Sequence, residues 1–136
     1  MSTRPGARVA TGTLLAFFLA ACAGSPKPDF APGLSRSRQL FQAGDYQAAI
    51  DAGADLLARF PGEAAVKAAF LETLEGIHRQ AGTAAAAADA QAERLFALLL
   101  ENAAKYGDLQ GSLSFSPKSL ARSLQLFRAA AAERRL

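Results

Sequence analysis

One cysteine and one histidine are all that this chain of 136 residues offers of those two types. A single Cys22 excludes an intramolecular disulfide, and with His78 as the sole imidazole there are too few soft ligands for a zinc cluster. Charge of one sign is also scarce. The formal net charge is +3 and the isoelectric point about 9.4, but Arg4 and Arg8 supply much of that excess. From Cys22 onward 13 basic residues stand against 12 acidic ones. The only close basic pairs there are Arg36 with Arg38 and Arg134 with Arg135, so the dense basic face that nucleic acid requires is missing. Long apolar runs are missing too. The longest, near residues 14–21 and 95–100, fall well short of the roughly 20 residues that cross a bilayer as a stable helix. What remains is a composition of 51% hydrophobic and 20% charged residues, which belongs to one folded domain.

The beginning of the chain has its own texture. Arg4 and Arg8 form a short basic region, Leu14 to Ala21 an apolar one, and small residues follow, which is the order of an export signal. The stretch Leu19-Ala20-Ala21-Cys22 resembles the bacterial lipobox. That resemblance implies cleavage of residues 1–21 as a lipoprotein signal peptide. It also implies attachment of a diacylglycerol to the Cys22 thiol and of an N-acyl chain to its amine. One acyl chain holds a protein only marginally, at about 0.8 kcal/mol per buried CH₂, whereas two or more hold it firmly. Ala23 and Gly24 follow the Cys, where the lipoprotein pattern has Asp for retention at the inner membrane. The resemblance therefore implies a lipid-anchored protein on the periplasmic face of a Gram-negative outer membrane. Cys22 is then chemically spent, and no other cofactor is expected.

Residues 22–33 contain Gly24, Pro26, Pro28, Pro32 and Gly33 without apolar periodicity, and read as a flexible tether. Residues 34–136 read as an all-α domain of about five antiparallel helices. The spacing predicts helices over about 34–43, 46–60, 63–80, 84–106 and from Pro117 onward. Gly44, the Pro61-Gly62 pair, Gly82 and Gly107 are the expected stops, and Ser116-Pro117 is the expected start of the last helix. Leu113 and Phe115 are expected to tuck the preceding link against the body.

Gln42-Ala43-Gly44-Asp45-Tyr46-Gln47-Ala48-Ala49-Ile50 resembles the central turn of a tetratricopeptide repeat, with Pro61 twelve residues after Ala49. The resemblance covers about residues 30–62. In it Gly44 permits the turn, Tyr46 wedges two helices, Ala49 allows close approach and Pro61 ends the unit. Gly53 departs from the pattern, standing where the family has a bulky aromatic residue. Gln80-Ala81-Gly82 echoes Gln42-Ala43-Gly44 and suggests a second, degenerate unit over about 64–104, with the last helix as its cap.

Groups suited to catalysis do not converge. His78 follows the apolar Ile77 and reads as a boundary residue, Glu72 and Glu75 as a solvated pair near Arg79, and the serines of 112–119 lack a nucleophile-elbow context. No Gly-rich phosphate loop follows a strand. The chain is therefore expected to be no enzyme, to hold no metal, and to bind neither nucleic acid nor a small-molecule substrate. The expected function is that of a membrane-anchored periplasmic adaptor or assembly factor, with an envelope protein or a secretion or transport complex as partner. Arg38, Gln42 and Gln47, beside the first hairpin, are the candidate contacts. A pilotin-like lipoprotein that escorts a secretin or pilus subunit is one alternative, and a structural accessory subunit of an envelope enzyme or transport complex is another.

Overall fold

The computed structural model describes residues 29–135, which form α-helices and one 3-10 segment with no strand among them. In chain order these are α1 (Ala31–Gln42), α2 (Tyr46–Arg59), α3 (Ala64–Ala86), α4 (Gln91–Glu101), the 3-10 segment Ala103–Ser112 and α5 (Pro117–Arg135). The expected all-α class and its five α-helices are present. Each helix packs chiefly on its neighbour in sequence, as short connections require. The lipobox residues Leu19, Ala20 and Ala21, and Cys22 itself, lie outside the described residues.

Local chemistry sets most of the ends. Helix α1 begins three residues earlier than expected, so Ala31–Gly33 belong to the helix and the tether stops short of them. Pro32 suits a first turn, whose N–H groups have no helical partner, and the Asp29 carboxylate accepts the Ala31 N–H at 3.0 Å. At the other end Gly44 takes φ +81°, a conformation that costs glycine nothing. Asp45 then caps α2 by accepting the Ala48 N–H at 3.4 Å. Ser116 and Ser119 cap α5 reciprocally, each hydroxyl accepting the other's backbone N–H, at 3.1 and 2.8 Å.

Besides the start of α1, three expected boundaries are wrong. Gly82 does not close α3, which runs on to Ala86, and α4 begins at Gln91 rather than Ala84. Gly82 is exposed, and a methyl group there would touch nothing within 4 Å, so it is a tolerated helix residue instead of a stop. The break falls within the alanine run, where Ala88 adopts φ +56°. The echo of the first turn at Gln80-Ala81-Gly82 therefore marks no turn. The expected fourth helix also ends early, at Glu101. The chain continues as the 3-10 segment, kinked at Gly107 with φ +53° and ψ −130°.

Three glycines let α1, α2 and α3 approach one another closely. A β-carbon at Gly33 of α1 would lie 2.5 Å from Leu56 of α2; at Gly53 of α2, 2.5 Å from the Phe70 ring of α3; and at Gly76 of α3, 2.6 Å from the Phe41 ring of α1. Each helix thus supplies one notch and one bulky side chain, and the three contacts close a cycle. The space beside Gly53 is filled from outside the α1–α2 hairpin by Phe70, itself 1% exposed. The core continues through Ile50, Leu74, Ile77, Leu99, Tyr106 and Leu120 to Phe127.

The same substitution should have opposite effects at two of these helix glycines. Gly53→Ala must displace a buried ring and should cost about 1–3 kcal/mol. Gly82→Ala, on an open face, should stabilise by about 0.5–1 kcal/mol. Urea denaturation of the two variants measures both.

Candidate functional site

The three candidate contact residues do not converge. Arg38 lines a narrow cleft between α1 and α3, together with Phe41, Glu72 and Thr73. At about 40 Å³ it admits a water or two and no larger group. Gln42 is exposed at the end of α1. Gln47 lies beyond the turn, on α2, and its amide is engaged within the fold. It donates to Asp51 Oδ1 and to Asn102 Oδ1, each at 3.0 Å, and its Oε1 accepts from Asn102 Nδ2 at 3.1 Å.

This amide pair clamps α2 to the end of α4. Asn102 is 5% exposed and also donates to the Leu98 carbonyl at 2.7 Å, so its burial is matched by hydrogen bonds. Lys105 adds a contact to Asp51 at 2.6 Å, and the ammonium holds that carboxyl below its ordinary range. Both partners are largely exposed, so the pair contributes little to stability. Asn102 carried no signal in the sequence, since its partner lies 55 positions away.

An open groove of about 340 Å³ lies between the α1–α2 turn and α4, and of the clamp residues Gln47 borders it. Tyr46 and Gln47 line one side, and Arg94, Leu95 and Leu98 the other. Tyr46 is half-buried, its ring tilted against Phe41 at 5.5 Å, while Ala49 behind it is fully buried. Pro61 forms the turn after α2. The groove is of mixed character: the half-buried Tyr46 and Leu98 supply apolar surface, Gln47 and Gln91 amides, and Asp45 and Arg94 one exposed charge of each sign. Sequence spacing alone starts α4 at Ala84 instead of Gln91, which leaves undefined the helix face that carries Arg94.

The remaining polar residues serve the fold. Glu75 is no member of a solvated pair with Glu72 and Arg79. Its carboxylate accepts the Ser114 N–H at 2.6 Å and the Ser114 hydroxyl at 2.5 Å, tying the link before α5 to α3. His78 stacks on Phe115 with ring centroids 4.5 Å apart and 21° between planes. Burial pushes the imidazole below its ordinary value of 6.5, partly opposed by the nearby Glu75 carboxylate. The Tyr106 hydroxyl donates to the Leu99 carbonyl at 2.6 Å, and burial pushes its pKa far up, so it carries no labile proton at neutral pH. Among the described residues no three His, Cys, Asp or Glu side chains come together to hold a metal ion. No helix described is long and apolar enough to cross a membrane.

Comparison with protein-family models, with curated proteins and with solved structures finds no match to this chain.

Because folding lowers the His78 pKa, the unfolded chain takes up the proton more readily below pH 6.5. Stability should be level above that value and fall as the pH drops through it. Urea midpoints measured across this range should show the fall, and His78→Gln should reduce it.

Proposed function

We propose that this chain is a lipid-anchored periplasmic adaptor or assembly factor, whose helical body binds an envelope protein beside the membrane. The sequence Leu19-Ala20-Ala21-Cys22, placed just ahead of a helical body with its own core, carries the reading. Export and acylation at Cys22 put the body at a bilayer surface.

The α1–α2 hairpin is proposed to be tetratricopeptide-like. Gly44 at the left-handed turn, Tyr46 against Phe41, and Ala49 at the helix contact support this. The partner is proposed to lie in the groove between this turn and α4, as an amphipathic helix whose apolar side meets Tyr46 and Leu98 and whose carboxylate meets Arg94. A pilotin-like role is the narrower form of the same reading, with a secretin or pilus subunit supplying that helix. A structural role in an envelope enzyme or transport complex would use a broader contact. No catalytic step is proposed.

Cell fractionation with a high-salt wash tests the anchor: the parent protein should stay with the outer membrane, and Cys22→Ser should be released. Recovery of the protein with its leader intact and without acyl chains would refute the proposal. Crosslinking in intact cells tests the groove. Arg94→Glu should lower the yield of a discrete crosslinked envelope neighbour by about tenfold or more while leaving the helical circular dichroism unchanged.

A further inference from the structure

Helix α5 carries charge that the rest of the body lacks. Residues 117–135 hold five basic residues against one acidic, a surplus of four, whereas residues 29–116 hold seven against eleven, a deficit of four. The helix packs chiefly on α4 through Leu120, Leu124 and Phe127, which leaves its opposite side uncovered. Lys118 and Arg122 lie there one turn apart, and Leu126, a turn further on, stands at the edge of that face, where it borders a recess with Ala85 of α3 and Phe96 of α4. All three are exposed, and Leu126, at 61%, is the sole exposed large hydrophobic residue among those described. Arg128 is engaged by Glu93 at 2.7 Å and Arg134 lies over the Phe127 ring at 5.7 Å. Lys118 and Arg122 have no ion-pair partner among the described residues.

We infer that this face of α5 docks on an anionic bilayer surface, with Lys118 and Arg122 among the headgroups and Leu126 entering the interface. The inference takes the nearness of a bilayer from the lipid-anchor reading. Only the six residues 23–28 separate Cys22 from the described body, a reach of at most about 25 Å. Charge complementarity favours this occupant, since each cation near an anionic membrane strengthens binding by about fivefold. A second copy meeting the same face would set Lys118 and Arg122 against the same two cations. A protein partner would need an anchor-rich patch of about 800 Å², and this face offers one large apolar side chain. With Leu120, Leu124 and Phe127 packed in the fold, attachment here rests on electrostatic attraction of the two cations, supplemented by one apolar insertion.

Docking in this way would also orient the molecule. Arg94 and Leu98, which line the groove, lie on the side of α4 opposite Glu93 and Phe96, which face α5. With α5 on the bilayer, the groove would face away from it.

Flotation with vesicles tests the inference on unlipidated protein, namely the chain from residue 22 carrying Cys22→Ser. Every residue of the core lies between Phe41 and Phe127, so this chain keeps all of it. Binding should be about tenfold or more stronger to phosphatidylcholine vesicles containing phosphatidylglycerol than to phosphatidylcholine alone, and should weaken as salt is raised. The double substitution Lys118→Glu/Arg122→Glu should lower it by about 25-fold or more, and Leu126→Asp should lower it as well, each with unchanged circular dichroism. Equal binding to both vesicles, or binding unaltered by these substitutions, overturns the inference. So does a dimer in sedimentation equilibrium that Leu126→Asp dissolves and that has no preference for anionic vesicles. Because the protein carries no acyl chain, failure here leaves the anchor reading standing, and failure of the anchor in cells leaves the vesicle result standing.

Discussion

The close approach of α1, α2 and α3 is the constraint on which the rest of the body depends. Leu56 sits over Gly33, Phe70 over Gly53 and Phe41 over Gly76, so every pair among the three helices is keyed at one point. Glycine inside a helix costs about 0.5–1 kcal/mol relative to alanine. Here that cost is offset by burying bulky side chains where an alanine methyl would collide with them. Sliding any helix along its neighbour would put a knob against a side chain instead of a notch. The cycle therefore sets the helix registers as well as their spacing.

The second half of the body is held to this frame by specific polar and aromatic contacts. Gln47 and Asn102 join α2 to the end of α4. Tyr106 meets Phe70 edge-on at 6.1 Å and bonds the Leu99 carbonyl. Glu75 and His78, both on α3, hold Ser114 and Phe115 at the entrance to α5. Together they leave α4 with two distinct sides. One faces the first hairpin across the open groove, and the other receives α5. In the proposed function the first side meets a protein, while the outer surface of α5 lies toward lipid.

Much of the architecture was legible in the sequence because it rests on local chemistry. Gly44-Asp45 permits a left-handed turn and caps the next helix, Pro61 prevents α2 from continuing, and Ser116-Pro117 starts α5. The alanine run at 84–88 was opaque for an equally physical reason. Its residues have similar, high helix propensity and little side-chain volume, so nothing local favours one break over another. Gly82 misled because glycine is tolerated in an exposed helix as readily as at its end. Of the groove, Tyr46 was legible as part of the turn, but Arg94 was not, since its place depends on where α4 begins.

By itself, the sequence determined that the body beyond residue 34 is built of about five helices with apolar faces, that several turns fall at Gly and Pro, and that Cys22 follows an export-like segment, because these depend on neighbours a few positions apart. Only the tertiary structure decided which glycines are notches, which polar residues are consumed by the clamp, and which face of α5 stays uncovered. Those outcomes depend on pairs such as Gly53 with Phe70 and Gln47 with Asn102. The partners are brought together by packing the whole chain, and no spacing along it encodes them.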